Sequence, residues 1–356
     1  MIRDLSTMQA WASLGEGDLR QAATAVPAVT ARSVLVRVEA CGVCRTDLHV
    51  IDGELPRHRD NIVPGHQIVG KVVDLGAETT RFVHGDRVGV AWLASTCGSC
   101  NWCRTGRENL CPSATFTGWD VDGGYAELCL VDERYAYAIP QDVDPVELAP
   151  LLCAGIIGFR ALSRAALPPG GTLGIYGFGS SAYLTARIAA AGGARVHVMT
   201  RGEQNQNLAR SLDLGFVGHE TAESPEALDS AIIFAPAGHL VLAALAATAA
   251  GGTVVLAGIH MSDVPRMTYA DHLFRERDLR SVTANTRADG EAFLRVANRL
   301  GLRAAVNRYR LDQTAKAVED LRSGRAAGSL VIDMSGDHAH TGLRAPTVID
   351  MDDQRP

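Results

Sequence analysis

The stretch TLGIYGFGSSAYLTARIAAA, from Thr172 to Ala191, decides how this chain folds. Thr172 to Tyr176 is a short apolar run that reads as a buried strand, and Ser180 to Ala191 reads as an Ala-rich helix. Between them stands Gly177-x-Gly179-x-x-Ala182. Gly177 permits a tight turn, Gly179 lets the backbone approach a pyrophosphate, and Ala182 lets helix and strand pack closely. A Gly-rich turn alone is a weak signal. After a strand, before a helix and inside a βαβ unit, it meets the context that a dinucleotide site needs. The second strand of that unit ends in VHVMTR. An acid there would grip the ribose 2′-hydroxyl of NAD, but Thr200 and Arg201 occupy the place, and Glu203 follows only after Gly202. A hydroxyl and a guanidinium suit a 2′-phosphate, so NADP is favoured over NAD.

Outward from this stretch, short apolar strands and helical segments alternate. Strands are expected at Arg195 to Thr200, Ile232 to Ala235 and Thr253 to Ala257, with a helix at His239 to Ala249. Such alternation argues for a parallel sheet covered on both faces. Upstream, residues 32–40, 67–74 and 86–92 read as strands of a β-rich part with long loops. Downstream, helices are expected at about Ala288 to Leu300 and Gln313 to Arg322, and a last strand at Ser329 to Asp333. The expected organisation is a β-rich domain over 1–150, a dinucleotide-binding domain over 151–290, and a return to the first domain over 291–356. Met334 to Pro356 reads as a loose tail, rich in Asp and poor in large apolar residues.

The β-rich part carries metal chemistry. CGVCRTDLH (Cys41 to His49) and VPGHQIVG (Val63 to Gly70) offer a thiol at Cys44 and an imidazole at His66, donors that suit zinc. Asp47 could hold the free ring N–H of a ligating histidine. Thr46 and His49 add a hydroxyl and a second imidazole, the parts of a proton relay. Cys153, in APLLCAGIIGF, sits where the β-rich part ends and can close on Cys44 and His66 across the interdomain cleft. Cys97, Cys100, Cys103 and Cys111 fall within one polar loop, and four thiolates satisfy a tetrahedral zinc with no position left open. Cys41 and Cys129 read as buried thiols. Leu55, Trp92 and Trp119 are candidates to line a pocket.

Composition narrows the partners. The chain has 356 residues, 47% hydrophobic and 21% charged, which is ordinary for a globular protein of two domains. A net charge of −6 gives no reason to expect nucleic acid or an anionic membrane. The longest apolar run, Leu240 to Ala250, is too short to span a bilayer. The start MIRDLSTMQAW lacks a basic-then-apolar signal pattern, so a cytoplasmic location is expected.

With GVCRTDLH, VPGHQIVG, HGDRVGV, the four-cysteine loop, LLCAG and the GFG turn in order, residues 25–335 resemble the zinc-containing alcohol dehydrogenases of the medium-chain dehydrogenase/reductase family. The resemblance implies an α/β fold: a GroES-like β-rich catalytic domain and a Rossmann dinucleotide-binding domain. It implies a catalytic zinc on Cys44, His66 and Cys153, and a structural zinc on Cys97, Cys100, Cys103 and Cys111. It implies Thr46 and His49 as relay with Asp47 behind His66, and Arg45 near the cofactor pyrophosphate. Substrates would be small alcohols or aldehydes, and the assembly a homodimer or homotetramer. Three positions depart from the family pattern. Gln67 replaces a glutamate behind the zinc, Ile157 replaces a threonine near the nicotinamide, and the acid after the second dinucleotide strand is missing. Two rival readings are a zinc-free quinone or enone reductase on the same fold, which intact ligands oppose, and a zinc- and nucleotide-holding sensor, which has no need of a relay.

Overall fold

In the computed structural model, which describes residues 6–324 and 328–335, Thr172–Tyr176 lies in the middle of a six-stranded parallel sheet. Across the sheet the strands run Phe216–Gly218, Arg195–Met199, Thr172–Tyr176, Leu228–Ile233, Thr248–Leu256 and Asp278–Ser281. The chain leaves Thr172–Tyr176 toward one side and returns to pair Leu228–Ile233 on the other. The order of the strands therefore reverses beside Tyr176, and the crevice beyond the carboxyl ends at such a point is where ligands bind in open α/β sheets. Alternation along the strands feeds two cores. Leu173, Ile175, Val196, Val198, Ile232 and Val255 pack with Ala182 and Ala186 of the helix Ser180–Ala191 on one side. Tyr176, Met199, Ala231, Ile233 and Val254 pack with Leu240, Val241, Ala244 and Leu245 of the helix Leu240–Ala247 on the other. Each fully buried aliphatic side chain contributes about 1.5–3 kcal/mol.

The second large sheet is mainly antiparallel: Val306–Arg310, Ser329–Asp333, Ser33–Val43, Gln67–Leu75, Arg87–Val90 and Ala136–Ala138, with Leu128–Asp132 also on Ser33–Val43. Ser329–Asp333 reaches this sheet from the far end of the chain, pairing antiparallel with Ser33–Val43. The fold is thus α/β, a GroES-like β-rich part joined to a Rossmann-type parallel sheet. No single helix among the described residues is long and apolar enough to cross a membrane.

Several boundaries differ from the sequence reading. The strand expected at Ile232 to Ala235 runs Leu228–Ile233, because Leu228 already pairs with Thr248. The same pairing ends the expected helix His239–Ala249 at Ala247 and starts the next strand at Thr248. Arg195 to Thr200 ends as strand at Met199, with Thr200 next to it. A hairpin, Thr7–Gly15 with Asp18–Ala25, has no counterpart in the sequence reading. The tail from 336 to 356 lies outside the described residues.

Candidate metal centres and cofactor cleft

Sheet register builds the first centre. Gly42 pairs with Gln67 across Ser33–Val43 and Gln67–Leu75. Cys44, two residues past Gly42, and His66, one before Gln67, therefore leave the sheet at the same end. Cys44 caps the helix Arg45–Ile51: its Sγ accepts from the Thr46 N–H, and the Asp47 carboxylate accepts from the Cys44 N–H at 2.8 Å. This reciprocal capping box fixes both side chains. The other Asp47 oxygen meets His66 Nδ1 at 2.9 Å, which leaves Nε2 facing Cys44 Sγ at 3.4 Å. Gly65 stands at φ +97, and a Cβ there would come within 2.5 Å of the Tyr125 ring. Only glycine allows the turn that delivers His66. Cys153 enters from the other side, at the N-terminus of the helix Ala154–Ala165. Its Sγ, the Cys44 Sγ and a His66 ring nitrogen all lie within 4.8 Å of one another.

The donor set fits a divalent zinc ion. Metal–ligand distances of about 2.3 Å to sulfur and 2.0–2.1 Å to nitrogen put tetrahedral S and N about 3.6 Å apart, close to the observed 3.4 Å. The electrostatics agree. The Cys153 thiol donates toward Cys44 and holds it well below the usual thiol range despite burial, and in return Cys153 is pushed well above it. Burial pulls the His66 imidazole down, but the charges of Asp47 and Cys44 outweigh it and hold it up at about 10. A dication bound here would compete with protons for the thiol and imidazole donors, as metal binding at Cys/His sites does.

The four-cysteine loop makes a different centre. Its sulfurs stand 3.6 Å apart for Cys97 and Cys111, 3.5 Å for Cys100 and Cys103, and 3.9 Å for Cys97 and Cys103. Tetrahedral zinc with four thiolates needs about 3.8 Å. A disulfide needs about 2.0 Å, and all eight cysteines are free. Backbone N–H groups of Ser99 and Cys100 pull the Cys97 thiol down to about 6. Glu108 and Asn109 moor the loop: Glu108 pairs with Arg287 at 2.6 Å, and the Asn109 amide donates to the Thr283 carbonyl at 2.9 Å.

At the carboxyl end of Thr172–Tyr176, Gly177 has φ +82, and a Cβ would meet the Ala235 backbone at 2.8 Å. A Cβ on Gly179 would meet nothing within 4 Å, so the space over the first turn of the helix is open. Ala182 is fully buried against the sheet. Thr200 is buried, its N–H on the Gly218 carbonyl at 3.0 Å, whereas Arg201 and Arg45 are exposed. Ile157 follows Cys153 by one helical turn and is half-buried. Gln67 is buried over Gly42, where a Cβ would stand 2.6 Å from its side-chain oxygen. Cys41 and Cys129 are buried, and burial pushes Cys129 up to about 12.

Leu55, Trp92 and Trp119 share one apolar cluster with Phe116, and the Trp92 ring meets His66 edge-on at 5.0 Å. Phe116 escapes the sequence reading, because a two-residue strand leaves no periodic signal. Thr46 is buried beside Cys44, but no hydrogen bond joins it to His49 among the described residues. His49 Nδ1 instead meets the Glu54 carboxylate, and its ring lies 5.3 Å from that of His260. Glu54, five residues past His49, is within reach of a sequence argument. His260, from the other domain, is not.

The alcohol dehydrogenase GroES-like domain profile matches residues 30–141. The probable alcohol dehydrogenase AdhA of Mycobacterium tuberculosis is 49% identical over 337 residues, 92% of this chain and 97% of that one. Among solved structures, a cinnamyl alcohol dehydrogenase from Sorghum bicolor superposes with a TM-score of 0.85 at 28% identity, covering 93% of this chain and 98% of its own. A dehydrogenase from Sinorhizobium meliloti 1021, bound to NADP, superposes with a TM-score of 0.82 at 26% identity, covering 92% and 100%. The chain belongs to the zinc-containing alcohol dehydrogenases of the medium-chain dehydrogenase/reductase family.

Proposed function

We propose that this protein is a zinc-dependent alcohol dehydrogenase and aldehyde reductase that works with NADP(H) on small to medium primary alcohols or aldehydes. The observation that carries the reading is the convergence of Cys44, His66 and Cys153 within 4.8 Å, with no fourth protein ligand among the described residues. Such an open set is the mark of a catalytic rather than a structural zinc. Bound there, zinc would supply Lewis-acid polarisation of an alcohol or carbonyl oxygen, on the scale that lowers the pKa of bound water to about 7, and a nicotinamide cofactor would supply the hydride chemistry. Cys44, His66 and Cys153 hold the metal, and Asp47 orients His66. The Thr46 hydroxyl would accept the alcohol proton while giving up its own, and His49 would take the proton onward to solvent. Leu55, Trp92 and Trp119 exclude water and favour an apolar substrate. Gly177, Gly179 and Ala182 receive the pyrophosphate with Arg45, and Thr200 and Arg201 face the 2′-phosphate. A second zinc on Cys97, Cys100, Cys103 and Cys111 holds the loop and does no chemistry.

The same reading includes domain limits at about 150 and 290, a cytoplasmic location and a homodimer or homotetramer. Exposed Tyr269 and Phe274 support an assembly. The test is NADPH and NADH oxidation over an aldehyde series, with and without chelator, in wild type and Arg201→Asp. A charge-assisted contact to phosphate is worth about 1.5–3 kcal/mol, so the NADPH-to-NADH ratio of kcat/KM should fall about 10–100-fold in the variant. An unchanged ratio overturns the cofactor assignment, and full activity in chelator overturns the zinc.

A further inference from the structure

His49, Glu54 and His260 bring two imidazoles and a carboxylate together, their ligand atoms within 4.8 Å of one another. They share no residue with either cysteine centre. His49 lies on the helix Arg45–Ile51, and Glu54 on the loop behind it, which is fastened by the N–H groups of Glu54 and Leu55 on the His49 carbonyl at 3.0 and 3.2 Å. His260 comes from the segment after the strand Thr248–Leu256 in the dinucleotide domain. That segment is held too: Ser262 accepts from the Gly238 N–H at 2.9 Å through its hydroxyl. The His260 ring is exposed, makes no hydrogen bond among the described residues, and sits at 33° to the His49 ring with centroids 5.3 Å apart.

We propose that this trio is a third metal site, for a divalent zinc-like cation, bridging the two domains. Two imidazoles favour a borderline transition ion over magnesium or calcium, which take oxygen ligands. Tetrahedral zinc on these donors needs them about 3.3 Å apart. Occupancy ties the His260 segment to the helix Arg45–Ile51 through one ion. It also ties up the imidazole that the proposed relay uses, so added zinc slows turnover. That consequence, unlike the site, rests on the function proposed above.

The experiment takes protein carrying its tightly held metal, dialysed free of the rest, and titrates it with zinc chloride by calorimetry. Cobalt(II) absorption serves as a second readout. Wild type should bind one further equivalent per chain. Loss of a neighbour of a ligand already costs about 10–100-fold in affinity, so loss of a ligand in His260→Ala should weaken this equivalent by at least about tenfold. Glu54→Gln should weaken it as well. The inhibition of aldehyde reduction by added zinc should be relieved in parallel. No further equivalent, or one equally tight in wild type and both variants, overturns the site. Binding that responds to His260 while inhibition does not keeps the site and overturns its link to the relay.

Discussion

The two sulfur-rich centres differ in how the chain makes them. The four-cysteine loop closes within 15 residues, Cys97 to Cys111, and its ligands are partly exposed. The Cys44, His66 and Cys153 centre is assembled from a helix cap, the entry to a strand and the start of a helix in the next domain. His66 is fully buried there. One centre has four protein donors and the other three. The local centre can serve as a staple because nothing needs to reach it. On the proposed function, the donor that the assembled centre lacks leaves a place for substrate, and Asp47, Gly65 and a sheet register hold the three that remain. Closed and local goes with stability, open and distributed with chemistry.

The sharpest way to break this contrast is Cys44→Ser. If the open centre supplies several kcal/mol of transition-state stabilisation, kcat/KM for aldehyde reduction should fall by about 10³-fold or more. The melting temperature should barely move, since serine also caps a helix. A variant that keeps its rate places the chemistry elsewhere. Asp47→Asn should cost about 10–100-fold in metal affinity at that centre, read by competition with a chelating dye, with the loop's metal unaffected. Equal release from both centres would mean that Asp47 acts on the whole domain. Cys103→Ser should do the reverse of Cys44→Ser. The melting temperature drops by about 5 °C or more, while the folded fraction keeps a kcat/KM near wild type.

The smallest effect sharpens the picture of the loop's mooring. The Arg287 guanidinium, against the cost of burial, holds the Glu108 carboxyl below its usual 4.5. A carboxyl lowered on folding adds stability that is fully present above its unfolded pKa and is lost as pH falls from there through the folded value. The Arg287 side chain is 37% exposed, so the pair is worth no more than about 1 kcal/mol. Arg287→Ala should therefore melt slightly below wild type at pH 7, with the gap closing as the pH drops below about 4. A gap that persists into acid would assign the loss to packing of the arginine over the Tyr135 ring, 4.7 Å away.

The same contrast between local and assembled explains which parts of the fold and of the site are legible in the sequence. The strand-turn-helix at Thr172 to Ala191 and the four-cysteine spacing are local patterns, and local sterics and ligand geometry leave few alternatives. Ser33–Val43 is legible because its residues alternate and are β-branched. The hairpin Thr7–Gly15 with Asp18–Ala25 is not: its strands are rich in Ala and Gln, poor in β-branched residues, and its turn at Glu16 and Gly17, both at positive φ, lacks flanking strand signals. Thr248–Leu256 opens with Thr-Ala-Ala-Gly-Gly, which no strand propensity favours, and pairing with Leu228 imposes the conformation. Asp278–Ser281 is a charged edge strand, which resembles a loop in sequence and guards a sheet edge in the fold. The helix Arg45–Ile51 is capped by a cysteine rather than by the usual serine or aspartate, so its start is hidden although Asp47 stands at the third position. His260 reaches His49 only through the docking of one domain on the other, and nothing in its neighbours announces that.

The central claim is that the chain holds two metals by two designs, and elemental analysis tests it most directly. Zinc-replete wild type, dialysed to remove loosely held ions, should contain two zinc per chain, and Cys44→Ser treated alike should contain one, with the fold intact by circular dichroism. Zinc at the same level in both proteins, or no zinc in wild type, would contradict the account.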